Sequence, residues 1–542
     1  MEHDIDALVV GAGPVGLTTA IALRRLDLQV RIVDEAPDTK REPRADVIFP
    51  RAGEALGALG VGETLRRNAN EMREVNIYAD GRHLGRFQVG RFESAYPRAM
   101  TIEQHDIERL LAEGLAGLDV KVDWRTRATD LRVHPDRVEV PLSGPNGELE
   151  TVTPAWVIAC DGARSMIRER LGIPFQGERR KNMQVLQGNV VPTWHLTDQP
   201  GHGYFFLAPH RSIIAFPTPH NGYRFFCVRD DPEPGRTETT LPELRDLIAT
   251  TAHMPDLELA LTDPPWMNRA RFADRVAAEL RHGRVLLVGD AAHSWAPIGG
   301  HGMNVGMLGA YNLAWKLAAV HRGQAADTLL DTYSLEQRAL AHGVIRDMRA
   351  NIMEMLLPPL AHRARNVFLR ATLPSPTFAR RTEWMMSDFG RNHRKSPLSW
   401  ERSGRPRRGP RAGDRIPDVA LVPPAGVEAR VPVPAAGPLT VTAGERQASL
   451  HQLLRYDRWT LLLNAAAADT ATLGALRNAC AACPAPVAVV PITPGPDAAR
   501  TLNRPDELTL VRPDGYVGLV APAHRVDLLR DYLATFLAAP HR

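Results

Sequence analysis

The sequence predicts an α/β protein in which a parallel nucleotide-binding sheet is interrupted by an antiparallel sheet and followed by a smaller α/β unit. Three observations predict it. A glycine turn joins strand, helix and strand within Ala7–Glu35. Two further apolar strands, ending near Cys160 and Val288, also run into a glycine and an acid. Between them, the residues from about Leu171 to Arg281 change to aromatic, strand-like segments.

Ile5 to Val10 has the length and composition of a buried parallel strand, and Gly11-Ala12-Gly13-Pro14-Val15-Gly16 follows without a break. Gly11 permits the tight turn, Gly13 lets the backbone approach a pyrophosphate, and Gly16 lets the next helix pack closely, with Pro14 among the binding residues. This is the Rossmann-like pattern of a dinucleotide site. Gln29 to Val33 is the second strand, closed by Asp34 and Glu35; a carboxylate there can accept both hydroxyls of an unphosphorylated ribose. Ala36 to Pro43 is turn-rich, and residues 44–51 lead into a helix with Leu56 and Leu59 on one face. Val75 to Val89 alternates as strands around the hairpin signal Asp80-Gly81. Thr101 to Leu115 reads as a helix with Ile107, Leu110 and Leu111 inward, and Val120–Val140 and Val152–Ala159 read as strands.

The strand that breaks at Asp161-Gly162 enters another helix. Tyr204–Leu207, Ser212–Pro217 and Tyr223–Val228 predict an antiparallel sheet inserted into the nucleotide domain. Arg284–Val288 ends at Gly289-Asp290 and leads through Pro297 to Asn304 into a helix with Met307, Tyr311, Ala314, Leu317 and Ala318 at helical spacing. Residues 394–412, rich in Pro, Gly, Ser and Arg, read as a solvated linker rather than a basic binding patch. Beyond them, Thr460–Leu463, Val487–Val490, Leu508–Val511 and Tyr516–Leu519 alternate with helices near Leu473–Cys480 and Val526–Phe536. The expected domains are therefore 1–74, 99–170 and 282–393 for the nucleotide; 75–98 and 171–281 for the substrate; 394–412 as linker; and 413–542 at the end.

A chain of 542 residues is long enough for roughly three domains. Its 44% hydrophobic and 24% charged content is that of a soluble globular protein, and a net charge of +4 points to neither nucleic acid nor a membrane as partner. Cys160, Cys227, Cys480 and Cys483 are too scattered for a disulfide framework, so a reducing cytoplasm is expected. Glu2, Asp4 and Asp6 run straight into the first strand, which predicts no signal peptide. A homodimer is left open as the assembly.

The strand ends GAGPVG, CDGARS and VGDAAH together resemble the flavoprotein monooxygenases of the aromatic hydroxylase type, over roughly Asp4 to Val344. The resemblance implies FAD, with Asp161-Gly162, Ser165 and Arg168 forming a motif that serves both FAD and an incoming NAD(P)H, Arg164 among the cofactor-binding residues, and NADPH as the expected donor. It implies that Gly289-Asp290 reaches the ribityl chain, and that Pro297 and the loop with Gly300, Gly302, Met303 and Asn304 lie beside the flavin ring. It places Gln104 near the flavin and Arg44 near the cofactor. His301 and Ser294-Trp295-Ala296 depart from the commoner residues of the family. More weakly, Gly413–Asp418 and Arg512–Gly515 look like the boundaries of the thioredoxin-like domain that ends phenol hydroxylase and the polyketide hydroxylases. Cys480 and Cys483 have CxxC spacing, but a redox pair would follow a strand at a helix N-terminus, so they read as structural.

No metal cluster, nucleophile elbow or P-loop is present in the sequence, so redox chemistry falls to the cofactor. The resemblance implies an NAD(P)H-reduced flavin whose C4a-hydroperoxide, formed with O2, hydroxylates a phenolic or polyketide aromatic ring. Ala45-Asp46-Val47-Ile48 with Arg51 resembles the segment of phenol hydroxylase-like relatives that carries an acid, which makes Asp46 the candidate base and, with Pro297, a catalytic residue. Apolar neighbours raise such a carboxyl into the useful range. A capping or ion-paired Asp46 beside Arg44 or Arg51 stays open. Tyr204, Phe206, Phe216, Tyr223 and Phe225 are candidates for lining the substrate cavity, although alternation lets only one face of each strand do so. An epoxidising or Baeyer-Villiger-type monooxygenase and a flavin-bound regulatory protein are the alternatives on this scaffold.

Overall fold

The computed structural model describes residues 5–39, 45–180, 183–196, 201–219, 222–231, 235–296, 299–350, 356–404, 409–421, 430–431, 439–440, 448–464, 469–494, 501–502 and 504–538. Its first sheet runs in the order Arg281–His282, Val285–Leu287, Trp156–Ala159, Ala7–Val10, Val30–Asp34, Val122–Trp124. The last five are mutually parallel, with Ala7 level with both Trp156 and Val30. Ala7, Leu8 and Val9 are fully buried, as a strand covered on both faces requires.

Helix Pro14–Arg24 leaves the first strand through the glycine turn and packs along helix His301–His321. The glycine turn tolerates no side chain at two points. A Cβ on Gly16 would stand 1.8 Å from the Gly11 carbonyl oxygen, and one on Gly11, whose φ is +102°, 2.4 Å from that of Cys160.

The second sheet has seven strands in the order Glu258–Ala270, Met183–Thr193, Tyr223–Asp230, Arg211–Pro217, His202–Ala208, Glu74–Ala79, Arg82–Gln88. All pairings are antiparallel except that of His202–Ala208 with Glu74–Ala79. Asp80 and Gly81, with φ of +50° and +73°, turn the last hairpin. Alternation gives the sheet two faces. Tyr204, Phe206, Tyr223 and Phe225 pack with Trp194 beneath helix Leu241–Ala252. Phe205, Ile214, Phe216 and Phe226 face the opposite way, into a core shared with Trp295 and Val305.

The third sheet runs Trp400–Glu401, Val517–Pro522, Glu507–Val511, Trp459–Asn464, Val487–Ile492, with helices Thr470–Ala481 and Val526–Phe536. Here the expected linker needs correction: Leu398 is fully buried, its carbonyl accepts from the Tyr532 hydroxyl at 2.7 Å, and Trp400 pairs in parallel with Leu519. Two apolar residues among arginines suffice to tie the connection into the sheet. Cys480 and Cys483 sit at the C-terminal end of helix Thr470–Ala481, where burial pushes the Cys480 thiol up to about 12 and the Cys483 thiol in the same direction. Both groups are held as thiols.

Charged side chains weld this unit to the nucleotide domain. Glu336 accepts from Lys316 at 2.7 Å and from both terminal nitrogens of Arg512 at 2.7 and 3.0 Å. Asp514 accepts from Arg512, from Asn312 at 2.8 Å and from Trp315 at 3.1 Å. None of the four charged groups is more than 1% exposed, yet two cations face two anions and every group is hydrogen-bonded.

Candidate active site

The three strand ends converge on one cleft of about 870 Å³ between the first sheet and the inner face of the second. At the first strand end, Gly11, Gly13, Pro14 and Gly16 line it. Gly13 is open: an added Cβ would find nothing nearer than a Glu108 oxygen at 4.0 Å, so a phosphate can lie against the peptide there, at the positive end of helix Pro14–Arg24. Asp34 lines the cleft with one oxygen accepting from the Ala12 amide at 2.7 Å and the other from the Ala36 amide at 2.8 Å. Those bonds aim the carboxylate and leave lone pairs for ribose hydroxyls. Glu35 also lines the cleft, exposed and 3.5 Å from Arg127.

At the second strand end, Asp161, Gly162 and Arg164 line the cleft. Asp161 Oδ2 accepts from the Ile167 amide at 3.1 Å while Oδ1 is buried without a partner. Burial pushes this carboxyl up, against the pull of Ser165 and the Ile167 amide. Ser165 caps the following helix on the Arg168 amide at 3.0 Å, and the Arg168 guanidinium reaches the Ala291 carbonyl at 3.1 Å, tying the second strand end to the third.

At the third, Asp290, Gly300, Gly302 and Met303 line the cleft. Gly289 and Asn304 stand just behind these lining residues. Gly289 packs on Val15, where a Cβ would stand 3.0 Å away. Asn304 accepts from the Phe49 amide at 2.7 Å and donates to the Val47 carbonyl at 2.8 Å, so it holds the strand that follows Asp46. Gln104 lines the cleft and latches the same segment from its other side, accepting from the Ala45 amide at 3.0 Å. Arg44 and Pro297 lie outside the described residues. His301 turns away to Asp388, at 3.0 Å.

Asp46 is 3% exposed and lines the cleft, with Oδ2 buried and unpartnered. Burial pushes its carboxyl up to about 6; Arg224 opposes that shift and Glu103 adds to it. Arg224 is fully buried, lies 4.1 Å over the Trp266 ring and donates to Asn189, which donates in turn to Glu103 at 3.0 Å. The sequence reading missed Arg224, Asn189, Trp266, Phe226 and Phe272; its one available signal was an arginine between Tyr223 and Phe225 in an apolar strand. Four of the five candidate substrate aromatics need correction. Tyr204, Phe206, Tyr223 and Phe225 belong to the far face; Phe216 lies on the inner face and borders a smaller chamber that shares Val47 with the cleft, and Phe226, Trp266, Phe272 and Trp295 form the aromatic wall of the cleft.

The cleft suits an extended flavin nucleotide. It has open peptide at Gly13 and Gly162, and orphaned polar atoms on Asp161, Asp46 and Trp295 wait for partners. Among the described residues, no group of His, Cys, Asp and Glu could hold a metal ion, and no helix is long and apolar enough to cross a membrane.

Fold and site together define an FAD-dependent aromatic hydroxylase, a flavin monooxygenase of class A, and the chain belongs to that family. Residues 4–348 match the FAD binding domain family and residues 433–540 the C-terminal family of aromatic-ring hydroxylases. The chain is 33% identical over 405 residues to 6-methylpretetramide 4-monooxygenase of Streptomyces rimosus, covering 73% of this chain and 71% of that one. It is 30% identical over 428 residues to pentachlorophenol 4-monooxygenase of Sphingobium chlorophenolicum, covering 78% and 77%. Among solved structures it resembles the anhydrotetracycline hydroxylase OxyS of Streptomyces rimosus, with TM-score 0.75, 26% identity and coverage of 99% and 100%. Aklavinone-11 hydroxylase in complex with FAD and aklavinone matches with TM-score 0.74, 25% identity and coverage of 98% and 99%.

Proposed function

We propose that this enzyme hydroxylates a phenolic or polyketide aromatic ring, with NADPH as electron donor and O2 as co-substrate, and that Asp46 is the base that receives the phenolic proton. The observation that carries the reading is the placement of Asp46: a buried acid with a free oxygen, in the cleft where the three nucleotide motifs meet, opposite an aromatic wall.

Bound FAD supplies the activation of oxygen and its delivery to the ring. The chain does the rest. Gly13, Asp34, Asp161 and Asp290 hold the nucleotide along the strand ends. Phe226, Trp266, Phe272 and Trp295 stack against the substrate and exclude water. Asp46 Oδ2 takes the proton of the phenol, and with a carboxyl near 6 it is mostly ionised at neutral pH and still basic enough to do so. Arg224, held over Trp266, offsets the negative charge that the proton transfer leaves on the substrate. The N-terminus of helix His301–His321 adds a positive dipole at Gly302 and Met303, beside the place we assign to the flavin ring. The reading includes a cytoplasmic location, a homodimer as candidate assembly, and a thioredoxin-like end domain without thiol chemistry.

The test is a panel of phenols, hydroxybenzoates and polycyclic polyketides, scored by NADPH oxidation and by product mass. The expected result is flavin-bound protein that adds one oxygen to at least one ring. NADPH consumption that yields only peroxide across the panel would count against it.

A further inference from the structure

Val47, the residue after Asp46, lines two cavities. One is the cleft described above; the other is a smaller chamber of about 30 Å³. Its walls are apolar: Phe49, Met72, Val75, Phe216 and Met386. Glu383, on helix Pro376–Met386, is the exception. It lines the chamber while only 3% exposed. Its Oε1 accepts from the Gly90 amide at 2.5 Å and the Arg91 amide at 2.8 Å, and its Oε2 is buried with no partner. Ser387, the other polar residue there, donates its hydroxyl to the Trp384 carbonyl at 3.0 Å. A buried acceptor left unpaired among apolar side chains is costly unless a partner arrives from elsewhere.

We propose that this chamber is a subsite of the hydroxylase cleft, in which Glu383 Oε2 accepts a hydrogen bond from a hydroxyl or amino substituent carried by the aromatic substrate. The inference rests on the hydroxylase reading and adds to it a selection rule. The rule is one of hydrogen bonding: Glu383 Oε2 offers an acceptor that a hydroxyl or an amine can meet with a proton and a methoxy group cannot. The substituent that enters lies beyond Val47 from Asp46, so the substrate carries its donor at a position remote from the phenol that Asp46 deprotonates.

Matched pairs of hydroxyanthraquinones, differing only in a peripheral hydroxyl or its methyl ether, test this with the holoenzyme. Binding is followed by quenching of flavin fluorescence, and turnover by NADPH oxidation with product mass. The wild type should bind the hydroxyl member about ten-fold or more tightly than the ether. In Glu383→Gln the amide oxygen keeps the Gly90 and Arg91 bonds and the NH2 group takes the place of the free oxygen, so the preference should fall away or reverse toward the ether. Glu383→Leu should abolish it, and Glu383→Gln carries the test if the leucine variant does not fold. Equal binding of both members by the wild type, or an unchanged preference in Glu383→Gln, would overturn the subsite and leave the chamber a site for structural water only. A donor preference without hydroxylated product would sustain the subsite and count against the hydroxylase reading; binding of neither member would overturn the subsite, while oxygen added to any other ring of the wider panel would uphold that reading.

Discussion

Asp46 concentrates two consequences of burial in one carboxyl group. Held near 6, it must lose its proton before it can accept another, so hydroxylation should rise with pH through about 6. Asp46→Asn should keep its flavin and lose on the order of 100-fold in hydroxylation, with the acid limb of the pH profile gone; turnover equal to the wild type's would remove the assignment. The same shift acts on stability. The folded value is raised above the ordinary 3.8, so the carboxyl's contribution is fully present below 3.8 and is lost as the pH rises through 6. Asp46→Asn should therefore be the more stable protein at pH 8, by on the order of 2 to 3 kcal/mol, with the gap narrowing at pH 5. Urea unfolding of both proteins at the two pH values measures it.

Among the elements, helix His301–His321 joins the two halves of the site. Its first turn borders the cleft, and the Asn304 side chain, one residue beyond Met303, clasps Val47 and Phe49. Asn304→Leu leaves a buried amide and a buried carbonyl unpaired, which should cost about 2 kcal/mol. Because the strand it releases carries Asp46, turnover should fall while flavin content, read from the visible spectrum, stays near that of the wild type. Unchanged turnover in a protein measurably destabilised would show that the clasp supports the fold alone.

For the molecule as a whole, the end unit is held by buried charge. Glu336 answers both Lys316 and Arg512, so Glu336→Gln leaves two cations facing Asp514 alone in a place with no solvent to screen them. A loss of about 3 to 5 kcal/mol is expected, seen as a lower midpoint in thermal unfolding of the holoenzyme. A midpoint within a degree or two of the wild type's would mean that water reaches the network.

How far this was legible in the chain differs from one group of residues to the next. The glycine turn, Asp34, Asp161 and Asp290 could be read directly, because a strand, a turn of fixed shape and a helix dipole are local consequences of short segments. Period-two alternation likewise showed that the aromatic strands have two faces. It does not say which face meets the cleft, since that depends on where helix Leu241–Ala252 and the nucleotide domain dock; Tyr204, Phe206, Tyr223 and Phe225 therefore fit a cavity wall equally well in sequence, and packing gives that place to Phe226 and Trp266. Arg224 beside Asp46, Asn304 on the Val47 strand and the Glu336–Arg512 lock join residues far apart in the chain. Their energies come from shared burial and mutual desolvation, which exist only once the sheets and helices have packed.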